Sequence, residues 1–215
     1  VSSPVPDSLS EFTVINVDGK KLKHLPKRLL PTRKLKGQVY GGKLVVAMDQ
    51  RTGLTLVMEG VLDGETSDAP LVPGMLKQIR QRVQGKRLYV EDRQFCDLVQ
   101  PGLLQEDEYF LIRYHKKVSF HRDASKRIRK GKNAEGLKYQ EEWGWLGKEN
   151  DKRRCYVRRI TLFRDGDEDV IVVTNLLDAD KYPAADLLTA YRHRWDIEQL
   201  FQRVTEVFHL GELIS

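Results

Sequence analysis

FTVINVDG, residues 12–19, is a β-branched run that stops at an acid followed by glycine. It reads as a buried strand that delivers Asp18 at its C-terminal end. The same pattern returns at residues 87–92, RLYVED, an apolar strand ending on Asp92. Between them, residues 41–48 (GGKLVVAM) and 54–62 (LTLVMEGVL) read as two strands joined by a turn. Residues 68–83 carry helical spacing, with Leu71, Met75, Leu76, Ile79 and Val83 on one side. Further on, 96–104 reads as a short helix interrupted by Pro101-Gly102, and 109–114 (YFLIRY) and 169–176 (DVIVVTNL) read as strands. Residues 183–210 form one long helical pattern. Strand, hairpin, helix and strand, then strand and a long final helix, make a mixed α/β fold with an interruption before that helix.

The interruption, residues 115–164, is polar and basic, with strand-like pieces at 118–121 and 155–163 and two tryptophans, Trp143 and Trp145. The alternating apolar residues of 156–163 (YVRRITLF) predict strand pairing within it. The expected division is a core of 1–114 and 165–215 around a β-rich insertion subdomain of 115–164. The chain lacks an initiator Met, begins in Ser/Pro-rich sequence and stops soon after a helical pattern, so it reads as a C-terminally truncated piece of a longer protein.

The chain of 215 residues is 40% hydrophobic and 32% charged, a composition that suits a globular domain. No apolar run approaches the ~18–20 residues needed to cross a bilayer, and no signal peptide opens the chain. Cys96 and Cys155 lie far apart in sequence without a CxxC or His spacing, so neither a disulfide scaffold nor a zinc site is supported, and a reducing cytoplasm fits. The net charge of +6 is unevenly placed. One cluster runs from Lys20 and Lys21 to Lys36 without an acid, a second from Lys116 through Arg127 to Lys132, and a third from Lys152 to Arg159. A single run of this kind is often only a solvated face. Three in one small domain favour a polyanion, because clustered Lys and Arg neutralise phosphates and release counterions.

Two acids ending two strands suit a hard divalent cation, although an Asp-Gly strand end is also ordinary turn chemistry. The final helix adds a third acid. In YRHRWDIEQLF, residues 191–201, Tyr191, Arg194 and Glu198 fall within roughly 60° of one another at helical pitch, beside an apolar face of Ile197, Leu200, Phe201, Val204 and Phe208. Taken alone, Arg194 and Glu198 could form a simple helix ion pair.

YRHRWDIEQLF resembles the signature helix of bacterial insertion-sequence DDE transposases, in which Tyr, Arg, Glu and Lys recur at fixed spacing; Tyr191, Arg194 and Glu198 match. The strand ending at Val17-Asp18-Gly19 resembles the first acidic position of that family, and Glu91-Asp92-Arg93-Gln94-Phe95 resembles the second. Gln94 stands where the family has Gly, and Thr205 where it has Lys. The resemblance implies an RNase H-like mixed sheet flanked by helices, with a β-rich insertion before the last catalytic helix. It further implies catalytic and metal-binding roles for Asp18, Asp92 and Glu198. Three packed carboxylates repel one another unless cations hold them, and the implied cofactor is two Mg²⁺ (or Mn²⁺) ions about 3.5–4 Å apart. The implied reaction is hydrolysis at transposon ends and transfer of the 3′-OH into target DNA. Tyr191 and Arg194 would touch phosphates near the cut, while Lys20, Lys21, Arg93, Lys116 and Arg127 would track the duplex and Trp143 would stack on a base. The partners expected are double-stranded DNA and a second subunit on paired ends, in the bacterial cytoplasm at the nucleoid, with no membrane. An inactive DNA-binding relic and another RNase H-like nuclease remain compatible with the same residues.

Overall fold

The protein was analysed as a computed structural model, which describes residues 4–21, 42–61 and 69–207; side chains in the final helix are described as far as Gln202. In chain order the strands are β1 (Phe12–Lys21), β2 (Lys43–Asp49) and β3 (Thr55–Val61), followed by helix α1 (Val72–Arg82). Strands β4 (Lys86–Glu91) and β5 (Glu108–Arg113) come next, joined through 3₁₀ turns at Arg93–Phe95 and Gln100–Leu103. Then come β6 (Phe120–Arg122), β7 (Arg129–Lys132), β8 (Lys138–Leu146), β9 (Cys155–Leu162) and β10 (Val170–Thr174). The described chain closes with α2 (Ala184–Arg192), a 3₁₀ turn at His193–Trp195 and α3 (Asp196–Val207).

All ten strands belong to one sheet, ordered β3-β2-β1-β4-β5-β10-β9-β8-β6 with β7 beside β8. The centre is parallel: β1 pairs with β4 from Phe12↔Lys86 to Val17↔Glu91, and β4 pairs with β5 from Arg87↔Glu108 to Glu91↔Ile112. Antiparallel pairs flank it, β1 with β2 and β2 with β3 on one side, β10 with β5 and β9 with β10 on the other. The order of elements predicted a mixed α/β fold, and this is the RNase H-like arrangement that the resemblance implied. Strands β6 to β9, all from residues 115–164, continue the same sheet through the β9–β10 ladder.

Central strands buried on both faces read as near-continuous apolar runs, and alternate residues serve opposite layers. On one face Ile15, Val17, Val45, Ala47, Tyr89 and Phe110 pack against Val72, Met75, Leu76 and Ile79 of α1. On the other, Val14, Leu88, Val90 and Leu111 pack against Leu187, Leu188, Ala190 and Tyr191 of α2. A smaller patch on that side joins Val46 and Met48 of β2 to Ile197 and Phe201 of α3.

The structure differs from the sequence reading in several places. The 183–210 pattern is two helices separated by a 3₁₀ turn, and residues 208–210 lie outside the described residues, as do the basic stretch 22–41 and Phe208. The short helix expected at 96–104 is instead a single 3₁₀ turn, Gln100–Leu103, because Pro101 and Gly102 leave too few residues for an α-turn ladder. Cys96 and Cys155, distant in sequence, pack in one core cluster. Gly147, just after β8, has φ +103°, a backbone conformation that L side chains rarely adopt, so glycine suits this turn.

Glu108 at the start of β5 is a buried charged hub. Arg80 of α1 donates to both of its carboxylate oxygens, at 2.9 and 2.6 Å, the Tyr89 hydroxyl donates at 3.0 Å and the Gln105 amide at 2.8 Å. Burial opposes its charge, but these donors outweigh it and hold the carboxyl below the usual range. We expect Glu108→Gln to lower unfolding free energy by about 3 kcal/mol, since it leaves Arg80 and Arg87 facing a neutral group. Because the folded carboxyl titrates lower than the unfolded one, its stabilisation is complete above the unfolded value of 4.5 and fades as pH falls through the folded value. Denaturant melts at neutral pH and at pH 3 check both points: the gap between parent and variant should narrow in acid.

Candidate active site

The register of β1 on β4 ends at Val17↔Glu91, so the next residue of each strand is an aspartate, Asp18 beside Asp92. Both share the sheet face of Val14, Leu88 and Val90, which is the face that α2 covers. The following strand in the parallel set ends at Arg113, two residues beyond Leu111 on that same face. Three neighbouring strand ends thus offer two acids and a cation to the helix above. In open α/β sheets this C-terminal edge is where ligands bind.

The helical segment supplies the rest. Arg194, in the 3₁₀ turn and only 4% exposed, donates from Nη1 to Asp18 Oδ2 at 3.2 Å, and its Nη2 lies 3.5 Å from Glu198 Oε1 one turn on. Its Nε has no partner. Tyr191 is also buried, its hydroxyl interacts with Arg194, and the Arg194 guanidinium lies 6.0 Å from its ring centre. The stripe read from the sequence therefore faces the strand ends, and the ion pair of Arg194 with Glu198 is present within it.

The electrostatics follow from burial. Asp18 accepts the Gly19 amide at 2.8 Å, yet desolvation pushes its carboxyl up to about 6. Arg194 and the Gly19 amide work against that rise, and Asp92 and Glu198 add to it. Burial raises the Tyr191 hydroxyl, with Arg194 opposing and Asp92 adding. Burial also disfavours the charge on Arg194, but Tyr191, Asp18 and Asp92 outweigh it. Next to Asp92, on the opposite face, Glu91 is fully buried and is pushed up to about 8 by desolvation, with the Gln100 amide donating to it at 2.7 Å.

Carboxylate oxygens are the donors that Mg²⁺ and Mn²⁺ prefer, and a buried acid crowded by two others is short of positive charge, so the donor chemistry fits such a cation. As the side chains stand, no group of three or more His, Cys, Asp or Glu among the described residues converges closely enough to hold a metal ion. Arg194 bridges Asp18 and Glu198 instead.

The other residues expected to meet DNA are spread over the surface. Lys20 and Lys21 are exposed at the end of β1, Arg93 is exposed just after Asp92, and Lys116 and Arg127 are exposed beyond β5 and β6. Arg93, Arg113, His115 and Lys116 line one hollow of about 130 Å³. A wider cleft of about 300 Å³ opens beside Tyr191, with Leu188, Arg192 and Trp195 among its walls. Trp143 is 9% exposed and donates its ring N–H to the Leu177 carbonyl at 2.9 Å, so its ring has little surface open to a base. Trp145 and Trp195 are the exposed indoles, at 38% and 56%. Sequence reading missed Arg113, although its place at the end of an apolar strand carried the same signal as Asp18 and Asp92. It also missed Asn16, whose amide reaches the His193 carbonyl at 3.1 Å.

Residues 10–214 match the family described as the transposase DDE domain, and the chain belongs to that family. No individual curated protein matches the chain. No helix among the described residues is long and apolar enough to cross a membrane.

A carboxyl whose folded value lies near 6 rather than 3.8 binds its proton more tightly when folded, so the metal-free protein loses stability as pH rises through that window. Asp18→Asn should therefore raise unfolding free energy at pH 7.5, by up to about 3 kcal/mol, and by much less at pH 4. Thermal melts in chelator at the two pH values test this, and a variant less stable than the parent at pH 7.5 would count against it.

Proposed function

We propose that this domain nicks DNA at transposon ends by divalent-metal-dependent hydrolysis of a phosphodiester, and then joins the freed 3′-OH to target DNA. The observation that carries the reading is the placement of Asp18 and Asp92 one residue beyond the last β1–β4 pair, Val17↔Glu91, with Arg194 bridging Asp18 to Glu198. Asp18, Asp92 and Glu198 would hold the cations, Mg²⁺ or Mn²⁺, two in number. When bound, these cations would supply the positive charge that activates water and stabilises the departing 3′ oxygen. In the first step the water oxygen bonds to phosphorus, the bond to the 3′ oxygen breaks, and that oxygen leaves protonated as the 3′-OH. In the second, that 3′ oxygen gives up its proton and bonds to a target phosphorus, whose own 3′ oxygen leaves and takes a proton.

The chain's own residues bind and orient the strand. A phosphate entering above Asp18 would meet the Arg194 guanidinium, which its contacts with Asp18 and Glu198 hold in direction, with Tyr191 beside it. Arg93 and Lys116 lie along one hollow with Arg113, which Glu168 holds at 3.2 Å, and they suit the next phosphates of the backbone. Lys20, Lys21 and Arg127 extend the basic surface to either side, and the 115–164 segment supplies much of it. Two such chains, one on each transposon end, would make the working assembly, acting on chromosomal DNA in the bacterial cytoplasm.

The test is strand nicking of a duplex that carries the element's terminal repeat, in Mg²⁺. Asp18→Asn, Asp92→Asn and Glu198→Gln should each lower the rate by about a thousandfold or more. Arg194→Lys keeps the charge but loses the planar fork, and should cost about ten- to a hundredfold. A parent that binds the duplex without cutting it in Mg²⁺ or Mn²⁺ would point to a DNA-binding relic. Cutting that ignores the terminal repeat would point to a general nuclease.

A further inference from the structure

Residues 184–207 contain neither Pro nor Gly, and local propensity alone specifies one unbroken helix there. The helix is nevertheless interrupted by the 3₁₀ turn His193–Trp195, in which the Asp196 amide reaches back to the His193 carbonyl. Interruptions of this kind have few causes: proline, small residues, a bulge, or a side chain inserted into the ladder of main-chain bonds. Here the inserted side chain is on view. Asn16 donates its amide N–H to the His193 carbonyl at 3.1 Å. Because that partner is an acceptor, the nitrogen rather than the oxygen of the amide must face it.

Asn16 is wholly buried in the middle of β1, opposite Met48 on β2 and Val90 on β4. On that face Val14 precedes it and Asp18 follows it. It lies at the seam between two apolar patches, the one under α2 that contains Val90 and the one under α3 that contains Met48. An apolar side chain would fill such a seam at lower cost, since the Asn16 Oδ1 is buried with no partner. What the amide adds is register. Asn16 bonds to His193, and two residues along the strand Asp18 bonds to Arg194, the next residue of the turn. The two bonds are consecutive rungs between β1 and the break.

We propose that Asn16 is a positioning residue: by holding the His193 carbonyl it fixes the break between α2 and α3, which aims Arg194 and Glu198 at the Asp18 strand end. The proposal rests on the reading of Asp18, Asp92 and Glu198 as one metal site, and deepens it. Asn16 touches neither metal nor DNA and acts through the helix.

The experiment replaces Asn16 by leucine, which has the same shape but no donor, and follows three quantities. The ¹³C shift of the His193 carbonyl should move, because it reports that hydrogen bond directly. Mn²⁺ affinity by calorimetry should weaken about tenfold or more, while the melting temperature holds or rises. In a Glu198→Gln background the same substitution should change Mn²⁺ affinity little, since its effect runs through that side chain. If leucine is not accommodated, Asn16→Ala is read in the same way. An unchanged His193 shift overturns the proposal whether or not metal binds. So does unchanged Mn²⁺ affinity in a parent whose binding is lost in Asp18→Ala. Binding that survives Asp18→Ala would instead sink the metal-site reading itself.

Discussion

Strand β1 lies parallel to β4 in a register that runs from Phe12↔Lys86 to Val17↔Glu91, and the placement of Asp18 and Asp92 depends on it. Side chains alternate across a strand, so a slip of one residue would turn one aspartate toward α1 and leave the other facing α2. The register is held from both sides. Ile15, Val17 and Tyr89 must meet α1, while Val14, Leu88 and Val90 must meet α2. With the strands locked by two cores, Asp18 and Asp92 come to rest side by side, and β5 adds Arg113 to the row.

Putting an acid in that position is expensive, and the surroundings record the cost. Burial pushes Asp18 up to about 6, and Asp92 and Glu198 push the same way. Arg194 supplies the opposing charge, reaching both Asp18 and Glu198 from the turn between the helices. A guanidinium in that position neutralises both carboxylates, and its Nε stays buried without a hydrogen-bond partner. Buried groups left partly unsatisfied are typical of sites that trade stability for chemistry.

The helical segment above these strands obeys two masters. Its α2 portion packs over β4, β5 and β10, its α3 portion over β2, and the break between them lies above β1. A continuous helix has one straight apolar stripe, whereas the surface beneath presents two patches. The 3₁₀ turn reconciles them, and it places the buried, doubly ion-paired Arg194 where the strands end. The same sheet runs on through β10, β9 and β8, so residues 115–164 bring their basic surface into continuity with the strands that carry the acids.

Much of this was legible in the linear sequence. Apolar runs ending in Asp18 and Asp92 announced buried strands, because β-branched runs of that length have few other fates. The period of 183–210 announced an amphipathic segment, and Tyr191, Arg194 and Glu198 shared one side of it as the pitch requires. Other features had no local signature. Nothing in residues 184–207 foretells a break, since its cause lies on β1 at Asn16. Trp143 and Trp145 sit two residues apart in similar sequence, yet only the first finds a carbonyl and a covered place. Local sequence determined which elements form and which faces are apolar, because backbone sterics and side-chain period act over a few residues. The tertiary structure alone decided which acid stands beside which, where the helix breaks and which rings are covered, because those outcomes depend on partners far away in the chain.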